Sequence, residues 1–320
     1  MDLMTLWDGL GWPLIRLTFF ISLGLIIGNL IEALNWTHAV AKVAEPLTRT
    51  ARLKDTTGAA FSLAFFSGVA ANSMLSEAYS QGRLNRKELV LSNLFNSLPT
   101  YFLHLPTMFF LTIPFIGHAA FIYVGLTFSS AVLRTMAIIF LSRMILPPLT
   151  DSCVPCRLDE NKSKGWRDAL QKSWIRFKRR IRRILKITVP IYIAVFFLNY
   201  YGAFDLLEKY MADNVEIFSW LPTEALSVMV LQVAAEFTAG LATAGALLDA
   251  GKLAVQDLIM ALLLGNILSS PMRAFRHQFP YYAGIFNPKL ALRLIVYNQG
   301  LRVASMMVVA AGYFVFNYVY

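Results

Sequence analysis

The chain has 320 residues, of which 57% are hydrophobic and only 15% charged, and its mean hydropathy is +0.55. Soluble globular chains carry about 25% charged residues, so a chain this apolar cannot cover its own surface in water. The composition excludes a soluble enzyme, a disordered scaffold and a disulfide-rich secreted domain, and it predicts an all-α polytopic membrane protein.

Apolar stretches able to enter a bilayer, where a perpendicular span takes about 20 residues, fall at 13–34, 57–80, 88–117, 119–147, 184–201, 225–249, 253–272 and 290–318. They are long and lack strict alternation, which predicts helices rather than barrel strands. Residues 1–15 hold Asp2 and Asp8 but no Lys or Arg. Without the basic n-region of a secretory signal, this stretch is expected to belong to the mature chain.

The net charge of +10 is concentrated in one place. Residues 152–186 hold 12 Lys and Arg against Asp159, Glu160 and Asp168, whereas the remaining basic and acidic residues nearly cancel. A basic loop between apolar segments is what the positive-inside rule expects of a cytoplasmic connection. Lys42, Arg49, Arg52 and Lys54 place residues 37–55 on the same side, and the five acids of residues 202–224 place that stretch outside. Both termini are then external and the linker internal, in a cytoplasmic (inner) membrane. The basic run of residues 172–186 suits anionic lipid headgroups; because it leads straight into an apolar span, no nucleic-acid partner is expected. Within the linker, Cys153 and Cys156 form a lone CxxC, half of the four ligands a structural zinc needs. The plainer reading is a tight turn after Pro147 and Pro148, and no metal is expected.

The chain also repeats itself. Gly82-Arg-Leu-Asn-Arg-Lys-Glu88-Leu89 matches Gly251-Lys-Leu-Ala-Val-Gln-Asp257-Leu258. Polar breaks with proline follow, Asn96-Ser-Leu-Pro99 and Asn266-Ile-Leu-Ser-Ser-Pro271, then Leu105-Pro106 and Phe279-Pro280, then Leu133-Arg134 and Leu301-Arg302. Four landmarks in one order, at offsets of 168–174 residues, predict two repeats (1–149 and 184–320) joined by a basic linker (150–183). With the linker inside and both termini outside, the repeats are inverted. Inverted repeats with broken helices are the architecture of secondary transporters, whose substrate sits where the repeats meet.

Three groups of residues are candidates for such a site. The small-residue segments Ser67–Ser73 and Ala234–Gly240 suit re-entrant hairpins or a plain packing face, and the second contains Glu236 about midway along an apolar run. A carboxylate there costs about 2.5–3.5 kcal/mol on insertion scales, so it is expected to face a cavity. Unwinding at the proline breaks would free carbonyls and add the neutral groups of Asn93, Asn96, Ser97, Asn266, Ser269 and Ser270; a kink stabilised by the same side chains is the alternative. Arg134 and Arg302 lie inside apolar spans at matching positions, and each presents a fork suited to carboxylate or phosphate, or to the carbonyls of a broken helix. His104 and His277 precede the second prolines and are candidates to carry a coupled proton.

The order of small-residue hairpin, G-x-L-x-x-x-[ED]-L, N-S-x-P and H-L-P resembles the Gate (nucleoside recognition) domain. That domain occurs in the spore maturation proteins A and B, in the gate region of ferrous iron transporter B and, more distantly, in concentrative nucleoside transporters. The resemblance implies an inverted-repeat carrier with re-entrant hairpins, and ligand contacts at Glu236, Thr238, Asn266, Ser269 and Asn96. The chain departs from the iron transporter: it has no cysteine outside the linker and no G-x-x-x-x-G-K-[ST]. The expectation is a non-enzymatic transporter of a small polar or anionic solute, either an organic anion or a nucleoside-like molecule. It would need no cofactor and would couple, if at all, to protons or sodium; assembly as a homo-oligomer stays open. The alternative is a non-transporting membrane scaffold whose basic linker docks another protein.

Overall fold

In the computed structural model the described residues are 3–12, 44–148, 166–202, 220–234 and 237–319, with isolated positions between 14 and 26 and between 206 and 218. Every regular element among them is helical. They are α1 (Leu3–Leu6, running into a π turn), α2 (Glu45–Thr50), α3 (Asp55–Ala64), α4 (Gly68–Ser80), α5 (Arg86–Phe95), α6 (Ser97–Ile116) and α7 (Ala119–Ile145). The next helix, α8 (Trp166–Tyr200), begins within the basic linker, and α9 (Thr223–Ala234), α10 (Phe237–Asp249), α11 (Val255–Arg273), α12 (Phe279–Phe286) and α13 (Pro288–Phe314) follow.

Among the described residues, four stretches are long and apolar enough to cross a membrane: Arg86–Ile116, Ala119–Ile145, Val255–Phe286 and Pro288–Val319. The chain is an all-α membrane protein. Two of the apolar stretches expected from the sequence are not single helices. Residues 57–80 divide into α3 and α4, and residues 225–249 into α9 and α10, each of 10 to 13 residues. At 1.5 Å per residue such helices reach about 15–20 Å, short of a hydrocarbon core about 30 Å thick. The first division is written locally: Ser67 is extended, and its hydroxyl accepts a hydrogen bond from Ala70 N–H (3.1 Å), capping α4.

The G-[RK]-L-x-x-x-[ED]-L pattern is a stop-and-start signal between helices. Gly82 (φ 72°) and Gly251 (φ 65°) take the left-handed conformation that ends α4 and α10, which a side chain would strain. The following Leu84 and Leu253 are buried. Asn85 then starts α5 with a capping box, accepting from Glu88 N–H (2.9 Å) while the Glu88 carboxylate accepts from Asn85 N–H (2.7 Å). Lys54 donates to the same carboxylate (3.0 Å) and to Arg83 O (2.9 Å). In the second occurrence Ala254 holds the N-cap position of α11 with no side-chain cap, and Asp257 instead accepts a hydrogen bond from the Tyr318 hydroxyl.

The chain folds into two compact units, each drawing segments from both halves of the sequence. The first comprises 1–103, 135–196 and 279–294; the second comprises 104–134, 197–278 and 295–320. Within the first, Phe61 of α3 packs on Phe95 of α5 (ring centroids 4.7 Å apart), and Thr57 and Ser92 share a hydrogen bond (2.6 Å). Ser76 of α4 donates to Ile285 O (2.7 Å), satisfying a carbonyl at the end of α12. Arg52, itself at φ 55°, donates to Arg143 O (2.9 Å) and Leu146 O (3.1 Å), so it closes the last turn of α7.

In the second unit α9, α10 and α11 surround Gln232. A Cβ added at Gly240 would lie 2.9 Å from Gln232 Cβ, and one added at Gly265 would lie 2.4 Å from Gln232 Oε1. Glycine therefore lets the three helices approach the glutamine, whose amide donates to Leu262 O (3.3 Å). The end of α6 is held as tightly: a Cβ at Gly245 of α10 would meet Phe115 O at 2.4 Å.

Candidate functional site

Helix packing in lipid has no hydrophobic drive between helices, so polar side chains inside it are either hydrogen-bonding glue or a site. Six of the buried polar residues cluster at the two proline-containing segments: Asn93, Asn96 and Ser97 in the first unit, and Asn266, Ser269 and Ser270 in the second.

In the first unit, α5 ends at Phe95 and α6 begins at Ser97, so the break is the single residue Asn96. Thr100 bridges it by donating its hydroxyl to Asn96 O (2.7 Å). One turn earlier, Asn93 Nδ2 donates to Asn72 Oδ1 on α4 (2.8 Å) and to the Tyr282 hydroxyl on α12 (3.3 Å). Asn72, Ser73, Asn93, Asn96 and Ser97 are buried, yet Asn93 Oδ1, the Ser97 hydroxyl, the Ser73 hydroxyl and both amide atoms of Asn96 have no hydrogen-bonding partner among the described residues. Burying a polar group unpaired costs about 1–3 kcal/mol. Asn93, Asn96 and Ser97 share a helix face by their i, i+3, i+4 spacing, so the first unit carries a neutral polar face with unused hydrogen-bonding capacity.

The second break differs from the expectation. The helix α11 does not unwind at Ser269–Pro271 but continues through Pro271 to Arg273, then passes through a π turn at Ala274–Gln278 into α12. Proline removes one donor from the ladder, and the wider turn absorbs the mismatch downstream instead of breaking the helix at the proline itself. Asn266 is buried one turn before the serines, and both its amide oxygen and its amide nitrogen are engaged. Nδ2 donates to the Tyr123 hydroxyl of α7 (3.0 Å), while Oδ1 accepts from Arg273 Nη2 (3.1 Å) and Arg302 Nη2 (3.5 Å). Ser270 donates to Gln299 Oε1 (2.8 Å). The pairs 270–299 and 266–302 make α11 and α13 antiparallel here.

One turn further along α13, Ser305 and Ser130 of α7 share a hydrogen bond (2.9 Å). One turn along α7 and one turn back along α13 stand Arg134 and Arg302, close enough for their charges to interact. Arg134 is 8% exposed, and its Nε has no partner among the described residues. His104 of α6 lies within electrostatic reach of Arg302. The Ser269 hydroxyl is buried without a partner among the described residues.

In the second unit the structure thus joins Asn266 to Arg302 and places Arg134 within electrostatic reach of Arg302, with Ser269 and Ser270 on the same helix as Asn266. It groups Asn93, Asn96 and Ser97 in the first. Thr238 is exposed in the first turn of α10, and His277 is exposed in the π turn. Glu236, Cys153 and Cys156 lie outside the described residues. Four participants had no place in the sequence reading: Arg273 and Tyr123 join Asn266, Gln299 joins Ser270, and Tyr282 joins Asn93, while Asn72, also at Asn93, comes from the small-residue segment Ser67–Ser73. Arg273 was findable, since it stands seven residues after Asn266 and so on the same helix face. The tyrosines, from different helices, left no such signal.

No family model matches the chain, and no solved structure matches it. Three uncharacterized proteins of Methanocaldococcus jannaschii are similar to it over nearly their whole length. One is 24% identical across 93% of this chain and 92% of its own length. A second is 27% identical across 91% and 89%, and a third is 24% identical across 91% and 94%.

Proposed function

We propose that the chain is a secondary-type membrane transporter that moves a small polar or anionic solute by alternating access. The observation that carries this reading is the Asn266 centre, where guanidiniums on two apolar spans share one neutral acceptor and a third, Arg134, is buried within electrostatic reach of Arg302. Arginine stays charged in proteins, and at membrane depth each costs about 2.5–3.5 kcal/mol on insertion scales. Intramembrane charges kept at that cost mark ligand pathways.

Three further features support an inverted-repeat carrier of the Gate type. The paired short helices α3–α4 and α9–α10 have the lengths of re-entrant hairpins. Each pair is followed by a left-handed glycine, a helix carrying the polar asparagine, and a second left-handed residue, Gly117 (φ 49°) or Asn287 (φ 78°), that opens a long span. Each unit takes its hairpin from one half of the sequence and span segments from the other. In this reading the repeats are 1–149 and 184–320, the linker is cytoplasmic, both termini are external and the membrane is the cytoplasmic one. Coupling, where present, is to protons or sodium.

One observation favours the scaffold reading as an alternative. Trp166, Leu170 and Trp174 are exposed at four-residue spacing on α8, within the basic segment, and Lys178 lies over the Trp174 ring (5.3 Å). Solute movement into proteoliposomes decides between the two. The carrier reading expects uptake of an anion or nucleoside that Arg302→Gln and Glu236→Gln abolish in folded protein and that charge reversal at Arg179 spares. The reverse pattern would overturn it.

A further inference from the structure

We infer that the first half of α8, residues 166–186, docks along an anionic membrane surface. Trp166, Leu170 and Trp174 enter the acyl boundary, and Lys178, Arg182 and Lys186 meet the headgroup phosphates. The inference goes beyond the transport reading and holds for a carrier or a scaffold alike. It gives to lipid the stripe that the scaffold reading gives to a protein.

Basic charge alone suits any acidic partner; the structure adds an apolar face left open where α8 begins. Trp166, Leu170 and Trp174 stand at four-residue spacing and are 55%, 50% and 49% exposed. On the same face Ser173 is buried and donates to Ile26 O (3.2 Å). Phe177 and Ile181 follow on that face, half-buried, and pack with Val69 and Tyr281 against one apolar cluster. The fold therefore covers the later turns of the face and leaves the first turns uncovered. Large apolar groups in line on a basic helix are the pattern of a helix lying in the membrane interface.

Two observations make the cover a bilayer with anionic headgroups. The first is continuity. α8 is one helix from Trp166 to Tyr200, and after Lys186 it carries no charged residue. Its second half lies in the apolar stretch 184–201, so its first half starts from the membrane edge. Pro190 has no N–H for the Lys186 carbonyl, and a helix bends most readily at such a point, here between surface and core.

The second is charge. Residues 172–186 hold eight Lys and Arg and no acid, and Asp168 is the one acid of α8. Exposed Arg167, Lys178, Arg182 and Lys186 fall, at about 100° per residue, on the arc beside the apolar stripe. Lys178 lies over the Trp174 ring (5.3 Å), and Trp174 stacks on Phe177 (ring centroids 5.2 Å apart). Such a pair suits the headgroup boundary, where the ring meets acyl carbon and the lysine stem lets the ammonium reach phosphate. A protein groove lined with acids meets the same charge, but it must also fit a helix whose other half is apolar and charge-free.

The test uses the full chain in vesicles, with Cys153→Ser and Cys156→Ser so that Leu170→Cys carries a single fluorophore. Quenching by brominated acyl chains reads whether position 170 reaches the bilayer. Strong quenching is expected in phosphatidylcholine vesicles containing phosphatidylglycerol, weakened by added salt and several-fold lower in phosphatidylcholine alone. A probe at Gln171→Cys, exposed but off the stripe, is expected to be quenched less. Lys178→Gln and Arg182→Gln are each expected to weaken docking about fivefold, and Lys252→Gln, an equal change of charge elsewhere, to leave it unchanged.

A probe at position 170 that stays unquenched in anionic vesicles, or that crosslinks to another polypeptide in native membranes, overturns the inference in favour of a protein partner. Equal quenching in neutral and anionic vesicles, unmoved by salt or by Lys178→Gln, overturns it as well. Solute uptake is a separate readout: docking lost with uptake kept, or the reverse, shows which of the two readings has failed. The lipid comparison is made on one protein with its probe at an exposed position, so a misfolded variant does not blunt the test.

Discussion

Asn96 and Asn266 follow the two halves' matching turns by similar distances, and both are buried, yet their amides are in opposite states. Around Asn266 every amide atom is engaged, and two of the three partners are guanidiniums. Around Asn96 the neighbours Asn93, Asn72 and Tyr282 are neutral, and neither Asn96 amide atom has a partner among the described residues. The same residue type thus organises positive charge in one unit and offers unfilled neutral capacity in the other. A repeated sequence feature does not carry a repeated chemistry, because its neighbours come from other helices.

Removing charge from the second region should break that contrast most severely. Arg302→Gln is expected to lower solute movement in proteoliposomes about a hundredfold, from the loss of a charged hydrogen-bond donor, with monodispersity in detergent unchanged. Asn266→Leu should destabilise by about 3 kcal/mol, because it removes the acceptor that two half-buried guanidiniums share; thermal or denaturant unfolding in detergent reads it. Asn96→Leu should have the opposite sign, gaining about 1 kcal/mol by removing an unpaired buried amide. If both leucine variants lose stability equally, the contrast between the two asparagines is wrong.

Smaller effects sharpen the comparison at the turns that precede each asparagine. Gly245→Ala should cost about 1–3 kcal/mol, since the new methyl would meet backbone at Phe115 that cannot move aside. Asn85→Ala should cost about 1 kcal/mol by deleting the capping box, and Ala254→Asn should gain about as much by supplying the cap that α11 lacks. Equal responses at the two caps would show that the halves start these helices alike, against the hydrogen bonds seen.

Composition made the membrane class legible, and hydropathy located the two spans after each hairpin, because lipid demands long apolar helices whatever they pack against. The turn pattern was legible too, since Gly82 and Gly251 are needed by local backbone geometry alone. The division of residues 57–80 and 225–249 was not read from the apolar run, although Ser67, a ready N-cap, marks the first. The continuation of α11 through Pro271 was missed because a proline weakens a helix without saying whether neighbours hold it together. At the site, Asn266, Arg134 and Arg302 were conspicuous as polar residues in apolar company, but nothing local told which of them meet.

By itself, then, the sequence determined what the solvent and the local backbone dictate: an all-α membrane protein, its long spans, its left-handed turns and its one strongly basic linker. Only the tertiary structure decided the partners. Each unit is assembled from segments of both halves, so Asn266 meets Tyr123 and Asn93 meets Tyr282 across 143 and 189 residues of sequence. A side chain's chemistry is fixed by its type, but whether its hydrogen bonds are spent or left open depends on neighbours that packing alone supplies.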